Sequence, residues 1–485
     1  MDFRRTKIIC TIGPATASYE MLEQLQAAGM NVVRLNMSHA THEDAAQIVR
    51  WVRTLNRKVL SPLATMLDTQ GPEIRTGVIE HPMELTPGQV VSLTVLDEAD
   101  VEHTSIHVNY QDLATSVDVG DRISVDNGLI NFEVLDKEGL RLTCRVVDGG
   151  MLGSKKHVNL PGVRVNLPAI TEKDIRDIAF GVANDVDFIA LSFVRSSEDI
   201  AKLRELLGAK ADKIHVIAKI EDREGVANLE QIAEVADGIM VARGDLGIET
   251  NIAELPNIQR RIVRTCAILG RRSIVATHLL ESMITNPIPT RAEVTDVANA
   301  IYEGVDAIML SGETSIGKYP VRCVTQLDAI AQTSERLPSL GFEAGLIAHN
   351  DKQHVAVSAT QLAEAINAAG IVVITRRGVM ADLVTNCRPK TVPVYAFTNS
   401  SQTRRRLVLN RSVISFRTPF SLDPEKTLGV AFRVLMDRMG LAPDAKVVVI
   451  SDVLAQHRTD AIQIRLLGAT ADAATSVPRG PEHAR

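Results

Sequence analysis

Eight short apolar runs, most of them followed by an amphipathic stretch, constrain this chain more than any other feature. They are KIICTIG (7–13), NVVRLNM (31–37), LATMLDT (63–69), VDFIALSFV (186–194), KIHVIAKI (213–220), GIMVAR (238–243), SIVATH (273–278) and AIMLSG (307–312). Near-continuous apolar runs of this length fit parallel strands buried on both faces. Helical periodicity occupies 19–29, 42–57, 196–208, 225–236, 253–269 and 291–304. Eight such units predict an α/β fold, a (β/α)8 TIM barrel, whose site lies at the C-terminal ends of the strands.

Two segments have a different texture. After the third run the chain reads VVSLTVL, RISVDNGLINFEVL and RLTCRVVDGG, with turns at Asp126-Asn127-Gly128 and Asp148-Gly149-Gly150. Alternating runs between such turns predict a small antiparallel β domain, a β-barrel lid inserted into one βα loop. The insertion is assigned to 71–167 and the catalytic barrel to 1–70 and 168–340. Thr171 and Asp174 have capping-box spacing where the barrel resumes, as do Thr290 and Glu293. A linker is expected around 335–352. It leads to a C-terminal α/β regulatory domain at 351–475, with strands at 371–375, 392–398, 412–416 and 445–451. The tail SVPRGPEHAR is expected to fray.

Composition narrows the functional classes. The 485 residues are 45% hydrophobic and 23% charged, enough to bury large cores without staples. A net charge of −6 and 3% aromatic content argue against nucleic acid or an anionic membrane as partner. No run reaches the length of a membrane span. The apolar stretch after MDFRRTK is cut short by Gly13-Pro14, unlike a signal peptide. Cys10, Cys144, Cys266, Cys323 and Cys387 form no CxxC pair, which excludes a disulfide framework or zinc finger and fits a cytoplasmic chain.

Polar residues collect where six of the eight runs end. Run two ends in Arg34, Asn36, Ser38 and His39; run three in Asp68 and Thr69; run five in Lys219 and Glu221. Run six ends in Arg243, Gly244 and Asp245; run seven in Thr277 and His278; run eight in Ser311 and Glu313. Charges at the ends of buried strands are costly unless paired or bound. Glu221 and Asp245 suit a magnesium ion shared with substrate oxygens; the lesser alternative is an ion pair of Glu221 with Lys219 or of Asp245 with Arg243. Asn36, Ser38, Asp68 and Thr69 offer oxygens for a potassium ion, with Ser38 alternatively the N-cap of the helix near Thr41. Arg34, Arg75 and Lys219 provide charge for a phosphorylated anion. Gly244 lets backbone approach a ligand, and amides there suit a carboxylate.

TKIICTIGPAT, NVVRLNMSHATHED, LDTQGPEIRTG, GSKKHVNLPG, AKIEDREG, MVARGDLGIE, ATHLLESM, PTRAEVTDVANAIYEG and MLSGETSIGKYP together resemble the pyruvate kinase family, in the family's order across residues 6–320. The C-terminal part resembles the family's regulatory domain more loosely, and the extra N-terminal segment of animal members is expected to be absent. The resemblance implies transfer of phosphate from phosphoenolpyruvate to ADP, with Mg2+ (or Mn2+) and K+ as cofactors and a homotetrameric assembly. It implies Lys219 and Arg34 at the phosphoryl group, Glu221 and Asp245 on magnesium, and Gly244 and Asp245 amides on the carboxylate. Asn36, Ser38, Asp68 and Thr69 match the potassium ligands, and Asn36, His39, Arg75 and Lys156 face the nucleotide. Thr277, Ser311 and Glu313 are candidates for binding substrate or ordering a proton relay.

Departures from the family pattern carry expectations of their own. Glu73 stands where potassium-independent members have Lys, which implies potassium dependence; Gln70 and His278 are further departures. The loop Thr375-Arg376-Arg377-Gly378 lacks the Ser-rich pattern of members activated by fructose bisphosphate. With Thr398, Ser400 and Thr403 it points to an effector with one phosphate, a sugar phosphate or AMP. The competing readings are a metal-dependent barrel lyase acting on a pyruvate enolate and a catalytically dead metabolite sensor.

Overall fold

The computed structural model describes residues 3–95, 104–163, 167–451 and 461–468. All eight apolar runs form strands: β1 (Lys7–Thr11), β2 (Val32–Asn36), β3 (Ala64–Asp68), β4 (Phe188–Leu191), β5 (His215–Ile220), β6 (Gly238–Ala242), β7 (Arg272–Ala276) and β8 (Ala307–Leu310). Every neighbour is parallel and β8 closes on β1, so the sheet is a barrel. Side chains alternate across the strand. Ile9, Val32, Met66, Ala190, Ile217, Met240 and Met309 pack inside, while Ile8, Val33, Leu67, Ile189 and Ala218 pack outward under the helices.

The six anticipated helical stretches are present, the fourth of them divided at Asn228. Helices that escape the periodicity reading include Glu172–Ala183, Arg243–Glu249 and Pro320–Ser334. Thr171 and Thr290 both start helices with complete capping boxes, as their spacing predicts. The N-cap of the helix at His42–Leu55 is Thr41, not Ser38, because the Thr41 hydroxyl accepts the Asp44 N–H.

The insertion holds a six-stranded sheet in the order 158–159, 122–125, 130–138, 141–148, 90–94, 104–107, and a two-stranded ribbon of 83–85 with 150–152. Its pairs are antiparallel except 90–94 with 104–107, which run parallel. Alternation reports which face is buried and is silent on direction, so that pair was not legible. Asp126 and Asn127 take positive φ at the turn between 122–125 and 130–138. Phe132, Val91, Ile123 and Leu142 centre an apolar core separate from the barrel's.

The C-terminal sheet has the order 413–417, 394–398, 371–374, 446–451, 461–466; the last strand is an antiparallel edge absent from the sequence reading. The expected linker contains a short turn at Phe342–Gly345, and Asn350 caps the helix Asp351–Ala365. The tail SVPRGPEHAR lies outside the described residues. The turn Leu407–Leu409 inserts Val408 and Leu409 into the barrel's inner core from the N-terminal end. Arg405 Nε bonds Asp187 at 2.9 Å, and Arg388 forks onto Asp306 with two bonds of 2.9 Å.

Candidate active site

The inward parity that fills the barrel with Ile9, Val32, Met66, Ala190 and Ile217 continues one step further along each strand to Thr11, Arg34, Asp68, Ser192 and Lys219. The apolar interior therefore ends in a polar layer at the C-terminal face. Arg34 Nε donates to Asp68 Oδ2 at 2.6 Å, and its Nη1 donates to Thr11 Oγ1 at 2.9 Å. Lys219 Nζ lies 3.1 Å from Asp68 Oδ1, 3.0 Å from Glu221 Oε1 and 2.6 Å from Ser192 Oγ. Glu221 Oε2 accepts the Phe193 N–H at 2.6 Å. All four charged groups are buried, Asp68 completely.

Burial alone would discharge these groups, so their pairing decides their charge. Burial disfavours the Lys219 ammonium, but Asp68 and Glu221 outweigh it and its pKa rises. Burial likewise opposes the Asp68 carboxylate; Arg34 and Lys219 prevail and hold it below its ordinary value. Glu221 goes the other way. Burial, aided by the charge of Asp245, overrides Lys219 and pushes it up to about 7.

Further around the rim, Thr277 (φ 67°) and His278 (φ 52°) adopt left-handed backbone after β7, as Phe193 (φ 50°) does after β4. For a β-branched residue this is an outlier of the kind that gathers at functional sites. The turn aims Thr277 Oγ1 at the Gly244 N–H, 2.8 Å away. Arg243 does not pair with Asp245: it forks onto Asp296 at 2.8 and 2.7 Å and donates to the Thr277 carbonyl at 2.6 Å, bracing the turn. Asp245 remains half-buried beside His157, 3.5 Å away in the insertion. Glu313, a candidate for binding substrate or ordering a proton relay, is fully buried. Its two oxygens accept the Leu280 and Ser311 N–H groups at 3.0 and 2.7 Å, tying the β7 and β8 loops together. Ser311 Oγ is buried with no hydrogen-bond partner among the described residues.

Asn36, Ser38 and Thr69 stand beside Asp68 at the ends of β2 and β3. Asn36 Oδ1 accepts the Ser38 N–H at 3.2 Å, and Thr69 accepts two bonds from Ser192, the N–H on its hydroxyl and the hydroxyl on its carbonyl. His39 is exposed on the same side. Arg75 donates to Glu73 at 2.7 Å and to the Lys155 carbonyl at 2.7 Å, while Lys156 pairs with Asp126 at 2.8 Å. These nucleotide candidates thus sit where the insertion joins the barrel. Among the described residues no three His, Cys, Asp or Glu side chains converge as a protein-only metal site. Two carboxylates that leave coordination positions to substrate and water agree with that.

Thr11 and Ser192 were missed. Both close the two strands whose ends were not read, and the same strand-end rule finds them. In the C-terminal domain the two predicted clusters do meet: Thr398 and Thr403 hydroxyls both donate to the Arg376 carbonyl, at 3.3 and 3.2 Å. Thr375 Oγ1 accepts the Gly378 N–H at 3.0 Å, and Ser400 caps the helix Ser401–Arg406. Arg376 and Arg377 point outward, exposed.

A (β/α)8 barrel with buried, paired cations among carboxylates at its C-terminal face, and a β insertion beside them, defines a barrel enzyme built for a small, highly charged anion. The family models for the pyruvate kinase barrel domain and the pyruvate kinase alpha/beta domain match residues 3–324 and 353–465. Pyruvate kinase of Geobacillus stearothermophilus is 43% identical over 467 residues, covering 92% of this chain and 77% of its own length. That of Dictyostelium discoideum is 40% identical over 96% of this chain and 95% of its own, and plastidial pyruvate kinase 2 of Arabidopsis thaliana 42% over 89% and 75%. The chain belongs to the pyruvate kinase family and is a phosphotransferase. Among the described residues no helix is long and apolar enough to cross a membrane.

Proposed function

We propose that this chain transfers the phosphoryl group of phosphoenolpyruvate to ADP at the Arg34–Asp68–Lys219–Glu221 cluster. The observation that carries the assignment is Lys219: a buried ammonium kept charged by two carboxylates at the end of the barrel. The substrate's P–O bond breaks, a new one forms to a terminal oxygen of ADP, and the enolate left behind takes a proton at carbon to become pyruvate. Phosphoryl transfer is catalysed mainly by positioning and charge. Lys219 and Arg34 supply that charge without reorganisation, because their partners already hold them in place. Amides at Gly244 and Asp245, with Thr277, orient the carboxylate. Thr277 and Ser311 are the hydroxyls at the ends of β7 and β8 on the protonation side. Glu313 acts by holding their loops.

Glu221 and Asp245 would hold Mg2+ or Mn2+, two carboxylates that leave positions open to substrate and water. Bound there, the ion would add Lewis-acid charge for the phosphoryl and enolate oxygens. Asn36, Ser38, Asp68 and Thr69 suit K+, three neutral side chains with one carboxylate. Glu73 accepts bonds from Arg75 and Gln70 and brings no ammonium to replace that ion. ADP is assigned to Asn36, His39, Arg75 and Lys156. A monophosphate effector, a sugar phosphate or AMP, is assigned to the 375–378 and 398–403 loops, within a homotetramer. The division into barrel, insertion (71–167) and C-terminal domain (351–475) goes with this reading, the insertion acting as the lid.

Pyruvate formation from phosphoenolpyruvate, ADP and magnesium tests the assignment, with and without potassium. Turnover that needs ADP and collapses without potassium is expected. Turnover indifferent to potassium overturns the monovalent site, and ADP-independent chemistry overturns the kinase in favour of a barrel lyase.

A further inference from the structure

A cavity of about 350 Å³ lies beneath the two chain crossings that join insertion and barrel. One wall is the insertion's His157-Val158-Asn159; the other includes Asp222, Arg223 and Glu249 of the barrel. Asn159 is 3% exposed. Its Nδ2 donates to Glu249 Oε1 at 2.9 Å, a direct side-chain bond across this seam, yet its Oδ1 is buried with no hydrogen-bond partner among the described residues. A buried amide oxygen without a donor pays its desolvation unrecovered.

Glu249 closes the short helix after β6. Burial pushes its carboxyl up to about 7 against the Asn159 bond, with Asp222 and Asp245 adding to the rise and Arg223 opposing it. Arg223 is partly spent elsewhere, since its Nε donates to the Glu249 carbonyl at 2.9 Å. His157 leans on Asp245, and Arg195 and Glu224 complete the charged lining. A protonated carboxyl is the natural complement of a primary amide: its O–H donates to the amide oxygen while the amide N–H donates to its carbonyl oxygen.

We propose that Asn159 and Glu249 form an acid–amide pair that straps the insertion to the barrel, making both positioning residues for the lid. The inference rests on reading the insertion as the lid of the proposed kinase site. The proton comes from solvent; when it leaves, the strap falls from two hydrogen bonds to one and the amide oxygen is orphaned. Glu249→Gln replaces the pair by an amide–amide pair that no pH in the working range breaks.

Hydrogen exchange of the backbone at Val158–Leu160, in the full chain and corrected for intrinsic rates, reads the strap directly; the Val158 N–H bonds the Ile74 carbonyl at 2.8 Å. Wild-type protection is expected to fall at least fivefold between pH 6 and pH 8, while E249Q stays within twofold. Asn159→Leu is expected to be weakly protected at both. The pH profile of kcat/KM should lose the same transition in E249Q. Flat wild-type protection, or an E249Q response equal to wild type, overturns the strap. Should N159L not fold, the wild-type and E249Q comparison decides alone. Normal turnover with flat exchange sinks the strap and spares the kinase; the expected exchange pattern without ADP-dependent turnover does the reverse.

Discussion

Lys219 shows how one side chain serves stability and chemistry through the same bonds. Its ammonium neutralises Asp68 and Glu221, and they keep it charged in a place where burial would strip its proton. Lys219→Met keeps the volume and removes the charge. Turnover should fall by about 10²–10³ or more, the usual cost of one preorganised donor at a developing charge. Folding should weaken by about 3–5 kcal/mol, because Glu221 is left buried without its cation and Asp68 keeps Arg34 alone. Steady-state kinetics with a parallel denaturant titration check both; full activity would remove Lys219 from the reaction. The site residues were legible because parity and strand ends are sequence properties. Thr11 and Ser192 obey the same rule. What the sequence hides is backbone strain: neither Thr277 nor Phe193 is a residue type that signals a left-handed turn.

Elements at the opposite end of the barrel repeat one device. Asp187, Asp237 and Asp306 stand immediately before β4, β6 and β8, and each carboxylate accepts a backbone N–H from the preceding strand: Thr65 at 2.9 Å, Val216 at 2.8 Å and Ser273 at 2.9 Å. Two of the three also receive an arginine from the C-terminal domain. Burial opposes the Asp306 carboxylate, but Arg388 and Arg272 hold it below its ordinary value. A depressed folded-state pKa stabilises above the unfolded value and is lost as pH falls through the folded one. Asp306→Asn should therefore be less stable than wild type at pH 7, and should lose less on acidification towards pH 3. Melting curves across that range check the sign. Between these ion pairs Leu409 fills the barrel floor, and Leu409→Ala should cost about 2–5 kcal/mol. A loss below about 1 kcal/mol would mean the floor is closed without it. Strands were legible here as uninterrupted apolar runs; the edge strand Ala461–Leu466 was not, since Gln463 and Arg465 interrupt its apolar run.

At the scale of the molecule, three parts divide the labour: a barrel, an insertion whose core does not continue the barrel's, and a C-terminal domain plugged into the barrel floor. The insertion's two ends are neighbours, for Arg75 pairs across to His157. Excising 77–155 and closing the gap with a short glycine-serine turn therefore adds little loop-closure cost. It removes most of the insertion's core, leaving Ile74, Val158 and Leu160 behind, and takes no residue from the cores of the barrel and the C-terminal domain, so the shortened chain should keep its barrel helices by circular dichroism. Arg34, Lys219, Glu221 and Thr277 stay where the strands hold them, and phosphoenolpyruvate with magnesium should still bind by calorimetry. Turnover should fall by about 10²-fold or more. Lys156 loses Asp126, and the strand ends lose the body that excludes water while the phosphoryl group moves. Retained turnover would make the insertion an ornament of the barrel, and loss of the barrel's helical signal would make it part of the folding unit; binding without turnover identifies it as the lid.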